Sequence, residues 1–335
     1  SGEGGPNGTF NEWHFFNGIP TPTEMSLARI DELGTPTTYS HYNTGWAWAF
    51  DTPFPYWKRW AGYEGGIADM CLVSWPARIA HDGAPRQQYV HAVDVVPTIY
   101  DLIGIEPPDR VAGYEQSPIE GESFAASLTD PAAPAKRTQF YAMLGQRAVY
   151  EDGWLATTLH PPLAGWGGFE KDEWELYHVE VDRAQARNLA AEEPERLAAL
   201  TARWFELAEE YHGLPLDDRN ALEQVLAERP MGAPPRDRYV LYPDVAPVPE
   251  LSGPKLPGRS YTISAGVELD TADAAGVLYA HGGVSGGHSL HVLDGRLVYA
   301  YNWLDIQRTT VTADRALEPG THALTAEVTA QGPSA

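Results

Sequence analysis

Apolar residues keep a helical rhythm most clearly between Glu195 and Tyr211, where Leu197, Leu200, Trp204, Leu207 and Tyr211 recur at steps of three and four. This predicts an amphipathic helix with Pro194 in its first turn, Gly213 at its end and a stripe that serves core packing. A second helix is predicted to start near Asp94. Val93, Val96, Ile99, Leu102 and Ile103 supply its apolar positions, Pro97 suits its first turn, and Asp94 meets the positive end of its dipole. Thr23 to Leu33 reads as a short amphipathic helix closed by Gly34, and Thr35 to Phe50 as a loop rich in Tyr, Trp, His and Asn.

Strand signals differ in kind. Ile67 to Trp75 is a short, largely apolar run ended by Pro76, which predicts a buried strand with Cys71 as an inert thiol inside it. Arg137 to Leu159 predicts two strands around the Glu151-Asp152-Gly153 turn, with Trp154 on the second, and Trp174 to Tyr177 a further brief one. The proline-rich span from Pro230 to Pro257 breaks all periodicity and reads as an extended linker. Beyond it Tyr261–Leu269, Gly276–His281, Ser289–Leu293 and Arg296–Asn302 are β-like, and Asp294-Gly295 is a strong hairpin signal. An antiparallel sheet or small sandwich is expected there, with no clear closing strand. Residues 1–230 are thus expected to form an α/β body, 231–258 a linker and 259–335 a β-rich domain. The glycine-rich start at Ser1 looks like the interior of a loop, so the chain is expected to begin and stop in mid-domain.

Composition narrows the partners. A formal net charge of −23 across 335 residues leaves no basic stripe for phosphates, which argues against nucleic acid and anionic membrane surfaces. No apolar run approaches the roughly 18 to 20 residues of a membrane span. One cysteine excludes an intrachain disulfide and thiolate zinc chemistry, and the compartment stays open. Eleven Trp and seventeen Tyr suit pockets that receive rings or sugars, or large loops packed by their own aromatics. His281, His288 and His291 match no zinc spacing and are expected as exposed hairpin histidines.

One cation stands out. Lys58 and Arg59 lie between Trp57 and Trp60, just before the Gly65-Gly66 pair, whose lack of Cβ permits positive φ or close backbone approach. A lysine against apolar surface is costly to desolvate unless an anion receives it. Glu64 is expected to support the Gly65 backbone or to pair with a nearby cation.

Taken in order, the segments GEGGPNGTFNE, HYNTGWAWAFDTPFPYWKRWAGYEGG, VSWP, HAVDVVPTIYDLIGI and WELYHVEVDRAQARNLA resemble the C-terminal half of the formylglycine-dependent sulfatases, above all the bacterial arylsulfatase branch with an extra β-rich C-terminal domain. The resemblance implies the C-terminal part of an alkaline-phosphatase-like α/β sandwich, with a mixed sheet between helices, followed by a small antiparallel domain. It implies hydrolysis of small sulfate monoesters by a formylglycine made within a C/S-x-P-x-R motif, beside a bound calcium. Lys58 falls at the family's sulfate-contacting lysine, an electrostatic clamp and leaving-group stabiliser. His41, Tyr42, Asn43, Trp46 and Trp48 fall at the mouth of such a site, where they shape an aryl pocket or simply pack the loop. The family's calcium carboxylates and formylglycine are expected before Ser1, because Cys71-Leu72-Val73-Ser74-Trp75 is not that motif, and no metal ligand is expected in this chain. Two other readings stay open: a phosphoesterase of the same superfamily, and a carbohydrate-binding module using Tyr279, Tyr299, Tyr301 and Trp303.

Overall fold

The computed structural model describes residues 4–79, 83–160, 168–217, 219, 223, 227, 236–249, 252–283 and 285–331. The chain divides into two compact units, Ser1–Asn7 with Tyr42–Ala227, and Gly8–His41 with Glu228–Ala335. In chain order the helices and strands are α1 (Glu12–Phe16), α2 (Thr23–Ala28), α3 (Thr44–Asp51), α4 (Glu64–Ile67), α5 (Val95–Ile103), β1 (Arg110–Val111), β2 (Tyr114–Glu115), β3 (Thr138–Met143), β4 (Gln146–Glu151), β5 (Trp154–Thr158), β6 (Trp174–His178), α6 (Pro194–Glu210), β7 (Tyr261–Leu269), β8 (Gly276–Gly283), β9 (Gly286–Leu293), β10 (Arg296–Trp303), β11 (Gln307–Thr312) and β12 (Gly320–Val328). The protein is mixed α/β, with several antiparallel sheets.

The first unit is organised on the antiparallel sheet β3-β4-β5-β6. On one face Val149, Ala156 and Leu176 meet Leu200, Trp204 and Leu207 of α6. On the other, Ala148, Tyr150, Leu155 and Tyr177 meet Tyr63. Because both faces are covered, β4 is buried at five successive positions, and the two-residue alternation of a half-exposed strand is lost. Trp204 is fully buried, and its indole N–H donates to the Tyr141 carbonyl at 3.0 Å. The turn between β4 and β5 places Asp152 at φ 46° and Gly153 at φ 86°, the double left-handed step that suits the twist of a tight hairpin. Both α6 and this hairpin match the reading from the sequence, but the Arg137–Leu159 span contains three strands rather than two.

α5 also begins as expected. A 3₁₀ turn, Ala92–Asp94, leads into it; Asp94 Oδ2 accepts the His91 N–H at 2.8 Å, and His91 Nδ1 accepts the Val93 N–H at 3.2 Å. Three other expectations are corrected. Ile67–Trp75 forms no strand: after α4 the segment is without helix or strand pairing, Met70 is 93 % and Leu72 90 % exposed, and Cys71 is exposed rather than buried. An apolar run becomes a strand only where a neighbouring edge receives its N–H and C=O groups, and none is present among the described residues. Thr35–Phe50 is not all loop, since Asn43 accepts the Trp46 N–H at 2.9 Å and so starts α3.

The third correction concerns the second unit, where β11 and β12 were not foreseen. It contains the antiparallel sheet β11-β10-β9-β8 and the pair β12-β7. The β9–β10 turn is made by Asp294 and Gly295, both at positive φ, as the dipeptide predicts. Leu290, Val292, Val298 and Leu324 are buried. Within the same unit the His14 ring nitrogen Nε2 lies 2.8 Å from the Leu304 carbonyl. Residues 236–249 of the proline-rich span carry neither helix nor strand and are exposed throughout, while 231–235, 250 and 251 lie outside the described residues.

Trp204→Ala removes the largest side chain of the first core together with its hydrogen bond. It is expected to cost about 3–5 kcal/mol in urea unfolding followed by far-UV circular dichroism. A loss below about 1 kcal/mol would show that α6 does not hold the sheet.

Candidate functional site

Lys58 stands on a turn that backbone proximity makes rigid. Tyr56 and Arg59 hold left-handed φ values of 63° and 88°, and the chain folds back so that the Gly65 N–H donates to the Pro55 carbonyl at 3.1 Å. A Cβ at Gly65 would collide with the Tyr56 and Pro55 carbonyls, and one at Gly66 with the Trp60 carbonyl. Of the two roles open to this glycine pair, close approach is therefore the one used. Neither residue has positive φ.

The turn is fastened to the sheet by polar side chains. Gln185 accepts from the Glu64 N–H at 2.7 Å and donates to the Gly62 carbonyl at 3.1 Å, and a Cβ at Gly62 would overlap Thr157 of β5. Gln146, fully buried, donates to the Arg59 carbonyl at 2.8 Å. The buried Glu64 carboxylate accepts from Arg183 at 2.9 Å, which bears out its pairing with a cation, and the Arg183 guanidinium lies over the Phe54 ring. Tyr63 and Tyr177 both donate to Glu175 Oε2 at 2.8 Å; burial first, and then this carboxylate, push their hydroxyl pKa values far above the ordinary range, so both stay donors.

Rings wall the turn. Tyr56 stacks on Trp60 with centroids 4.5 Å apart and meets Tyr63 at 4.6 Å, while Trp48 reaches Tyr56 at 6.2 Å and Trp57 at 5.9 Å. Lys58 itself is exposed and makes no ion pair or hydrogen bond among the described residues. A lysine on a held backbone, within a segment whose rings cluster, suits an anion that carries an apolar substituent.

The remaining candidate residues are divided. Trp48 joins the Lys58 turn. Trp46 stacks on Phe50 at 5.5 Å, and Phe50 meets Tyr42, so these rings form a separate group. Asn43 is the helix cap. His41 belongs to the second unit, where its Nε2 lies 2.7 Å from a Glu12 carboxylate oxygen.

Two buried charge clusters escaped the sequence reading. Lys136 donates to Asp94 Oδ1 at 2.6 Å with both side chains below a tenth exposed, and the same oxygen accepts the Glu122 N–H. Asp94 is thus more than a helix-end residue. Beside it, burial and then the Lys136 charge push the His91 pKa down. In the second cluster Asp172 accepts from Arg147 at 2.5 Å and contacts His160 Nδ1 at 3.0 Å, all three buried. Spacing offers no signal for either cluster, because the partners come from different elements. Arg183 and Gln185 were foreseeable only as members of the VDRAQARNLA segment, where loop polarity gives no hint of which side chain turns inward.

In the second unit His281, His288 and His291 are half-buried rather than exposed. His288 Nδ1 lies 3.3 Å from the Tyr261 hydroxyl and 3.2 Å from that of Tyr299. Among the described residues no three His, Cys, Asp or Glu side chains converge as a metal ion needs. No helix of the described residues is long and apolar enough to cross a membrane.

No family model matches. The chain is 27% identical over 179 residues to an uncharacterized sulfatase of Schizosaccharomyces pombe, covering 52% of this chain and 31% of that protein. It is 27% identical over 96 residues to the arylsulfatase of Klebsiella aerogenes, covering 29% of this chain and 20% of that one. Among solved structures, one from glycosaminoglycan metabolism by Bacteroides thetaiotaomicron covers 44% of this chain and 30% of its own, at 17% identity and a TM-score of 0.35. Another, in complex with its substrate D-glucosamine-2-N,6-O-disulfate, covers 36% and 24%, at 19% identity and a TM-score of 0.26. The chain resembles sulfatases over part of its length, and it spans at most about a third of the curated relatives it matches.

Gln185→Leu would leave the Glu64 N–H and the Gly62 carbonyl without their partner. Each is expected to cost about 1–3 kcal/mol, with a change in the near-UV circular dichroism of the Trp48, Trp57 and Trp60 cluster. An unchanged spectrum and melting temperature would show that the Lys58 turn does not depend on this amide.

Proposed function

We propose, on the strength of the sulfatase resemblance, that this chain is the C-terminal portion of a sulfuric ester hydrolase of the arylsulfatase type, and that Lys58 is its sulfate-binding cation. The observation that carries the assignment is the Lys58 turn, an exposed lysine on a held backbone next in sequence to the Trp48, Tyr56 and Trp57 ring cluster and built from the segments that carry the likeness. Sulfate is a strongly solvated anion. A preorganised cation at its oxygens, stronger still as charge moves to the departing phenolate, lowers the barrier without reorganising at the moment of reaction. Trp48 and Trp57 then offer apolar surface to the aryl group. The formylglycine supplies the attacking hydrate in such enzymes; the residues here bind and orient the ester.

An alkaline-phosphatase-like sandwich is the proposed setting. Support comes from apolar surface that lacks cover among the described residues: Met70 and Leu72, with Val96, Ile99 and Ile103 of α5 each about half exposed. A strand-like run and a helix face of this composition suit the sheet and outer layer of a larger body. By the same likeness, calcium and the formylglycine belong to the rest of that body.

In the complete gene product, Lys58→Ala should lower kcat/KM for a chromogenic aryl sulfate between about tenfold and several hundredfold, with Lys58→Arg retaining part of the rate. A near-wild-type rate in Lys58→Ala removes Lys58 from the site. Sustained turnover by this chain alone, with calcium, would overturn its assignment as a portion of the enzyme.

A further inference from the structure

The second unit contains a groove of about 470 Å³ that the sulfatase reading does not use. It is lined by Leu290, Leu297, Tyr299, Val311 and Ala313, of which Leu290, Tyr299 and Val311 are in register on one face of the sheet and are taken as its floor, and by the run Thr325 to Thr329. Successive side chains of a strand point to opposite faces, so the four consecutive β12 residues Thr325 to Val328 line one groove only when the strand turns its edge toward it. β12 is paired with β7 alone among the described residues. Its other edge therefore presents unpaired N–H and C=O groups at every second residue. The run spans roughly 16 Å, room for a strand of about five residues.

An occupant has to meet both demands, an apolar floor and a row of backbone donors and acceptors. A lipid tail answers only the first. A sugar stacks on rings, and the floor offers one, Tyr299, whose hydroxyl already bonds Tyr261 at 2.8 Å and His288. We propose that an extended polypeptide segment with alternating apolar side chains docks here, adding a strand to the free edge of β12 and placing every second side chain on the floor of Leu290, Tyr299 and Val311. The exposed Glu327, midway along the run, adds negative charge beside the groove and favours a segment of net positive charge. This inference stands independently of the sulfatase assignment.

The probe is a fluorescent heptapeptide, Lys-Val-Thr-Val-Thr-Val-Lys, titrated against the whole chain. A second version is N-methylated on alternate residues, so that it keeps the side chains and loses the backbone donors. Saturable binding is expected, at least tenfold weaker for the N-methylated peptide and for Val311→Lys, an exposed floor position. Binding should be unchanged for Val277→Lys, which is exposed on β8 away from the groove lining. Bound peptide should also slow amide exchange along β12. Absence of saturable binding, equal binding of both peptides, or indifference to Val311→Lys overturns the proposal. Displacement of the peptide by cellohexaose that is lost in Trp303→Ala overturns it in favour of a glycan surface.

Discussion

Backbone passes within contact distance of backbone or of a buried strand at Gly62, Gly65 and Gly66, and the geometry around Lys58 depends on that approach. A side chain at Gly62 would push the turn away from β5 and from its Gln185 partner, and one at Gly65 or Gly66 would force open the turn itself against the Pro55, Tyr56 and Trp60 carbonyls. The glycines pay an entropic cost in the unfolded chain. It is offset by a polar fastening that leaves the ammonium of Lys58 exposed while its backbone is held.

The sheet beneath that turn is equally demanding. Its two covered faces place α6 on one side and the turn's Tyr63 on the other, so the core that stabilises the unit and the surface that presents Lys58 share the strands β4, β5 and β6. Charges buried at the margins are each compensated: Asp94 by Lys136, Asp172 by Arg147 and His160, and Glu64 by Arg183. Removing Lys136, Arg147 or Arg183 strands a buried carboxylate in a low-dielectric setting, which makes these pairs constraints on the fold more than sources of net stability.

Much of this was legible where the signal is local. The stripe from Leu197 to Tyr211, the capped start of α5, and the hairpin turns at Asp152-Gly153 and Asp294-Gly295 follow from short-range geometry, and each is present. The Lys58 turn was legible as a cation, rings and a glycine pair. Its fastening was not: Gln146, Arg183 and Gln185 lie about 87 to 123 residues away along the chain, and nothing in their own neighbourhoods marks them as inward-facing.

By itself, the sequence determined the periodic helices, the tight turns, the net charge of −23, and the ordered segments that resemble sulfatases. These are properties of residues close in sequence, or of their sum. Tertiary structure alone decided which apolar runs find partners. Cys71 and its neighbours read as a core strand yet lie exposed, and β12 was unforeseen yet closes on β7. The physical reason is the same in both cases: a strand is completed by hydrogen bonds to another segment, so its existence is settled where the two edges meet and not within either one.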